Sequence, residues 1–325
     1  ALGQSFCSER EHADFMQRWG LQTQELRDHG CACLAEWHMP RYLFPHFFWH
    51  SEVDVMNDTA AAIWFFDAEY DALYARAGHL AAAFGPPQAP WHEFPQGRFR
   101  LKRLMNLQVL RLLRRAAPGT ELSGLRQVLE FGTGAGDAAA MLLDLNFTGT
   151  LLMYDTPHVQ LLARYWQRYS GVPSFLGERL RRSPDAVRGR FVLDSSFEQL
   201  SGHLDRSLLR DSLFLATYSL SEADEATRRR FWPMIRGFGL VVMAFGVLYM
   251  PGPSTDALQQ DNSGFLEPLV LSMQETHHML AWRVPYLRLQ NPHYYFIAVQ
   301  KERGSVACDA ALNCRPETLH PLFRR

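Results

Sequence analysis

Residues 127–131 form a short apolar run that leads directly into Gly132-Thr133-Gly134-Ala135-Gly136, and helical spacing resumes at Asp137. A strand ending this way must turn sharply, and the missing side chains let a ligand approach the backbone. The helix that follows offers unpaired N–H groups at its start. Strand, glycine loop and helix in this order constrain the fold more than any other feature of the chain. They predict an α/β sheet whose ligands sit beyond the carboxyl ends of its strands.

The sequence around the loop agrees. From about residue 125, short apolar segments at 127–131, 151–154, 191–193, 213–217 and 240–245 alternate with helical spacing over 137–145, 159–169 and 222–235. Such alternation predicts a parallel sheet covered by helices on both faces. Tyr294 to Val299 reads as a closing strand, expected to pair through a hairpin with the segment around 283–289. The first 120 residues read as helical, for example over 14–28, 58–80 and 101–115, with a break at Gly85-Pro86-Pro87. In the helix at 101–115 the apolar residues share one face, and Lys102, Arg103, Arg111, Arg114 and Arg115 fall mostly off it. The organisation expected is a helical N-terminal region (1–120) acting as lid or oligomer surface, an α/β domain (121–303) and a C-terminal tail (304–325).

The loop discriminates between cofactors. Dinucleotide sites want G-x-G-x-x-G, whereas the third glycine here comes one residue early. Glu130, two residues before the first glycine, would repel a pyrophosphate. It could pair, directly or through water, with the cationic amino acid part of S-adenosylmethionine. Asp155 falls at the carboxyl end of the second strand, where an acid meets ribose hydroxyls. It could also cap the helix that Thr156-Pro157 opens. The cofactor site expected is Glu130, Gly132, Thr133, Gly134, Gly136, Asp155 and Thr156, with Asp194 and Ser195 after the third strand.

At these residues the chain resembles the class I methyltransferases, whose loop has the form E/D-x-G-x-G-x-G. More narrowly, it is similar to the sugar O-methyltransferase family in three pieces and in its closing strand. The pieces are 128–136; Tyr154-Asp155-Thr156-Pro157 running into 159–166; and 213–222. The closing strand is His293-Tyr294-Tyr295-Phe296-Ile297-Ala298. Thr156 departs from the apolar residue of Asp-Leu-Pro. The resemblance implies a Rossmann-like, seven-stranded, mostly parallel sheet with an antiparallel last strand. It also implies methylation of a hydroxyl on a glycosyl substrate.

Such chemistry needs an acceptor oxygen aligned with the methyl group and a base for its proton. The acceptor should lie beyond the fourth strand, at Tyr218 and Ser219, with Glu222 or His293 as base. Each has a plainer reading: Tyr218 and Ser219 as packing or turn residues, Glu222 as the third residue of a capping box opened by Ser219, His293 as a solvated or satisfied histidine. His277-His278 is the next candidate base, and His158 a poorer one. Aromatics of the N-terminal region, among them Trp37, Phe48, Trp49 and Trp64, are either sugar-stacking residues or ordinary core.

No compact set of metal ligands is apparent. A net charge of −1 gives no basic excess for nucleic acid or an anionic membrane. No apolar run reaches spanning length. A small glycosyl acceptor and a cytoplasmic location are expected, and a homo-oligomer is compatible. An NAD(P)-dependent oxidoreductase and a non-catalytic methyltransferase-like binding protein are the competing readings. The five cysteines lie toward the two ends. They read either as free thiols of a reducing compartment or, for Cys308 and Cys314, as a pair.

Overall fold

The structure is a computed structural model. It describes residues 92–94, 97–99 and, between 101 and 324, all but 135, 146, 157–158, 161–162, 164–173, 177–190, 247, 250–259, 262–263, 265, 284–292 and 309–313. The helices expected at 14–28 and 58–80, the break at 85–90, the N-terminal aromatics, Cys7, Cys31, Cys33 and His158 lie outside the described residues, as does most of the helix expected over 159–169.

The sheet begins with β1 (Gln127–Phe131) and β2 (Thr150–Tyr154). It continues with β3 (Ser174–Leu176), β4 (Phe191–Asp194), β5 (Ser212–Thr217) and β6 (Leu240–Gly246). It closes with β7 (His277–Arg283) and β8 (His293–Gln300). Their order across the sheet is β7-β8-β6-β5-β1-β2-β4-β3. All neighbours are parallel except those of β8, which is antiparallel to both β6 and β7. This is the expected seven-stranded arrangement with an antiparallel last strand, extended at one edge by the three-residue β3. Successive strands depart leftward and rightward from β1, so the strand order reverses between β1 and β5, and the loops there diverge to open a crevice.

Burial on both faces explains why β1, β5 and β6 are buried along their whole length. Gln127 is tolerated in β1 because its amide donates to the Asp205 carbonyl (2.8 Å) and accepts from the Asp205 N–H (2.9 Å). One large cluster joins Leu129, Phe131, Leu152, Phe214, Phe231, Phe238, Met243 and Phe296. The helices are α1 (Leu101–Ala116), α2 (Asp137–Asp144), α3 (Phe197–His203), α4 (Ser219–Glu222), α5 (Glu225–Ile235) and α6 (Leu266–Met273). Among the described residues no helix is long and apolar enough to cross a membrane.

Three expectations change. Arg111, placed off the apolar face of α1, is buried, because α1 packs beside α2 and buries a wider face than one apolar stripe. The helix expected from residue 222 is broken: α4 ends at Glu222, and α5 starts after Asp224, whose side chain accepts from Thr227 N–H at 2.7 Å. The strand paired with β8 is β7, earlier than the 283–289 segment expected. Its buried Leu280, Ala281 and Trp282 supply the apolar contacts, and the two histidines that open it concealed the pattern.

The segment after β8 turns back along the sheet. Ala307 N–H donates to the Ala116 carbonyl (3.2 Å). Cys308 and Cys314 form a disulfide with a Cα–Cα distance of 5.3 Å, which is the pairing alternative. Leu319 then bridges antiparallel to Trp282 on β7.

Candidate active site

The glycine loop leaves β1 with three left-handed residues, Gly132 (φ 81°), Gly134 (φ 51°) and Gly136 (φ 86°), a conformation that L side chains rarely adopt. Gly132 N–H donates to the Tyr154 carbonyl at 2.8 Å, pinning the loop to the end of β2. Glycine is required at 132 for a second reason. A Cβ there would lie 2.0 Å from the Cβ of Ser219, which reaches across from the end of β5. Ser219 Oγ donates a hydrogen bond to the Phe131 carbonyl. Gly134 differs, since a Cβ built on it meets nothing within 4 Å. Its surroundings are open space, as a ligand cradle requires.

Asp155 closes the loop from the other side. Its Oδ2 accepts from Gly134 N–H (3.1 Å) and, weakly, from Thr133 Oγ1 (3.4 Å). Its Oδ1 accepts from Thr156 N–H at 2.7 Å. Burial among dense protein pushes this carboxyl above the usual aspartate range, against the pull of those donors. The following helix takes its first bond at Thr156, whose carbonyl accepts from Gln160 N–H (3.0 Å). Asp155 therefore ties the loop to the strand end; the helix-start residues 157–158 that it would cap lie outside the described residues.

Glu130 is buried, 4% exposed, and lies between Leu129 and Phe131, which both join the main cluster. By strand alternation its side chain projects to the other face of the sheet. Asp194 ends β4, also buried. Its Oδ1 accepts from Ser196 N–H (3.0 Å), and its Oδ2 stands 3.8 Å from His203 Nε2 on α3. Ser195 follows it, half-buried.

Across the crevice, Tyr218 is the one described residue other than glycine with positive φ (69°, ψ −33°). Its N–H donates to the Ala244 carbonyl, which holds this strained turn to β6. Ser221 Oγ donates to the Tyr218 carbonyl (2.6 Å). Glu222 ends α4 two residues before the cap Asp224, so it is not the third residue of a box opening the long helix. His293 is the first residue of β8 and pairs with Gly246, the last of β6. It therefore stands at the carboxyl-end crevice, as the topology predicts.

His277 stands at the opposite end of the sheet. It pairs with Gln300, and its ring bridges Thr276 Oγ1 (2.8 Å) and the Phe238 carbonyl (2.8 Å). Burial holds it below the usual histidine range. It is a satisfied structural histidine, and the pair His277-His278 is remote from the crevice.

Two features were missed in the sequence. The strain at Tyr218 carries no residue-type signature, since tyrosine is unusual at positive φ. The aromatic group of Tyr154 with Phe131 (5.1 Å), Phe231 (4.8 Å) and, beyond Phe231, Phe197 (4.9 Å) backs the loop and the end of β2. Only the apolar run 127–131 hinted at it. Among the described residues no group of three or more His, Cys, Asp or Glu could hold a metal ion.

No protein-family model matches the chain, and no curated protein matches its sequence. Among solved structures, it is similar to the methyltransferase domain of bacterial CtHen1: 13% identity, 61% of this chain and 99% of that chain covered, TM-score 0.40. It is similar to the glycopeptide N-methyltransferase MtfA complexed with S-adenosyl-L-methionine: 15% identity, 59% and 92% covered, TM-score 0.33. It is also similar to an rRNA methylase from Streptococcus thermophilus: 10% identity, 62% and 95% covered, TM-score 0.37.

Proposed function

We propose that this chain is an S-adenosylmethionine-dependent O-methyltransferase acting on a hydroxyl of a sugar or glycosylated small molecule. The observation that carries the reading is the loop after β1. The loop carries three left-handed glycines, a Cβ at Gly134 would meet nothing within 4 Å, and an acid from the end of β2 accepts from the Gly134 N–H. Such a cradle accepts a ligand against bare backbone, and the early third glycine with a buried Glu130 beneath it disfavours a pyrophosphate.

When bound, the cofactor supplies a methyl group activated by a sulfonium charge. Gly132, Thr133, Gly134 and Gly136 would hold its amino acid and ribose portions, with Glu130 facing the cationic amine. Asp155 and Thr156 would meet the ribose hydroxyls, and Asp194 and Ser195 the base. On the acceptor side, Tyr218 and Ser219 would position the hydroxyl. Glu222 or His293 would take its proton as the oxygen–carbon bond forms. The strained backbone at Tyr218 supports a functional role for this turn, since such strain concentrates at binding and catalytic sites.

Calorimetric titration with S-adenosylmethionine, S-adenosylhomocysteine and NADH tests the cofactor assignment. Micromolar binding of the first two and none of NADH is expected; the reverse pattern would sink it. A labelled methyl donor, offered glycosides, peptides and RNA in parallel, tests the acceptor class. Label should enter the glycosides alone.

A further inference from the structure

Past the disulfide, the segment after β8 meets the sheet along β7 and β8. Upstream of the disulfide, Ala307 N–H donates to the Ala116 carbonyl. Downstream, Leu319 forms a single bridge to Trp282, and His320 N–H donates to the Ala281 carbonyl at 2.9 Å. The His320 ring meets the Tyr294 ring at 5.1 Å, and Phe323 lies 6.4 Å from Phe296. Nearer β8, Lys301 N–H donates to the Thr276 carbonyl (3.0 Å), and Arg303 Nη1 to the Arg210 carbonyl (2.6 Å) and Asp211 Oδ1 (2.8 Å). Among the described residues, other hydrogen bonds within 315–324 are internal. Thr318 bonds Arg315, Leu322 N–H donates to His320 Nδ1, and Arg324 Nε donates to the Leu319 carbonyl. They stiffen the strap without attaching it.

The covalent tie stands between the two groups of anchors. Cys314 is buried, 2% exposed, whereas Cys308 is half-buried and so the more accessible of the two. We propose that the Cys308–Cys314 disulfide is a redox-addressed lock that holds residues 314–324 against the edge of β7. An external dithiol opens it. One thiolate of the reductant attacks Cys308 Sγ, the sulfur–sulfur bond breaks, and Cys314 leaves as a thiolate that takes up a proton. The reductant's second thiol then closes its own disulfide and frees the Cys308 thiol. The reductant loses two electrons and the chain gains them.

With the tie broken, the described strap residues are held by the bridge at Leu319 with its His320–Ala281 hydrogen bond, by the ring contacts of His320 and Phe323, and by the packing of Phe323 on the main cluster. The strap also regains the chain entropy that the closed loop had removed. The strap grips the strand ends beside the crevice. Tyr294 follows His293 and stacks on Phe245 (5.7 Å), one residue before Gly246. The lock would therefore govern the acceptor side of the reaction proposed above, although its test does not depend on that reading.

The test is hydrogen exchange on the full chain, followed by mass spectrometry of peptides. It is run on oxidised protein, on protein reduced with dithiothreitol, and on Cys308→Ser without reductant. In the last two, amides of 315–324 should exchange about ten- to hundredfold faster, while peptides of β1, β2 and β5 keep their protection. Alkylation mapping scores the disulfide in each sample. Three outcomes overturn the proposal: unchanged strap exchange in protein with Cys308 and Cys314 both alkylated, exchange that rises equally across the sheet, or alkylation of Cys308 and Cys314 without any reductant. Reduction of folded wild-type protein keeps the test decisive if Cys308→Ser fails to fold.

Discussion

Gly132 and Gly134 are alike in sequence and opposite in what surrounds them. At Gly132 a side chain meets Ser219. Gly132→Ala should therefore destabilise the fold by roughly 2–4 kcal/mol in a urea titration, from overlap and left-handed strain together. Adding Ser219→Gly should recover the overlap share and leave the strain. At Gly134 a side chain meets nothing within 4 Å but must adopt a φ of 51°, so Gly134→Val should cost stability through backbone strain alone, keep the folded spectrum by circular dichroism, and abolish S-adenosylhomocysteine binding. Retained binding would remove the loop from the site. Asp155→Ala should weaken that binding by about 1–3 kcal/mol. It should also cost about 1 kcal/mol of stability, because its carboxylate holds Gly134 N–H and Thr156 N–H. The glycines and Asp155 were legible because their spacing is local. Ser219 under Gly132 was not, since it lies 88 residues from the Phe131 carbonyl it bonds.

The elements around the crevice show how a local rule can be met by the wrong residue. Ser219 and Glu222 satisfy a capping pattern, yet the long helix α5 is capped by Asp224 three residues before Thr227. Two acidic residues, Glu222 and Asp224, fall within one turn of the same helix start, and pattern alone cannot rank them. Asp224→Ala should cost about 1 kcal/mol of unfolding free energy and leave turnover unchanged. Glu222→Gln should do the reverse if Glu222 is the base, lowering turnover 10²–10⁴-fold with stability and cofactor affinity kept. If Glu222→Gln and His293→Ala both retain near-normal turnover on an identified acceptor, neither residue is the base. The strands were read well from their continuous apolar runs. β7 was misplaced because polar His277 and His278 stand at its head and Arg283 at its end.

For the whole molecule, pH acts through two buried histidines, His277 at the end of the sheet opposite the crevice and His320 on the strap. Burial depresses both His277 and His320 below the ordinary value of 6.5. The unfolded chain then binds protons that the fold refuses, so their contribution to stability is present above pH 6.5 and lost as pH falls toward the depressed native values. Denaturation midpoints measured between pH 7 and 5 should fall, and His277→Gln, which can still donate to the Phe238 carbonyl, should flatten the decline. An unaltered slope would mean that His277 does not resist protonation. The parallel sheet followed from the alternation of segments and its antiparallel last strand from the resemblance, whereas the closing segment's path along β7 had no periodic signal. That path has a further consequence. An eight-stranded open sheet has two rims of unpaired backbone groups, each a template for another copy of the chain. One rim is β3, three residues long and too short to seed extended pairing. The other is β7, seven residues with an apolar middle, and Leu319 and His320 cover it at Trp282 and Ala281. The strap is thus also a guard against aggregation, and a chain cut before Cys314 should remain folded at β1 while growing into oligomers through its bare β7 rim.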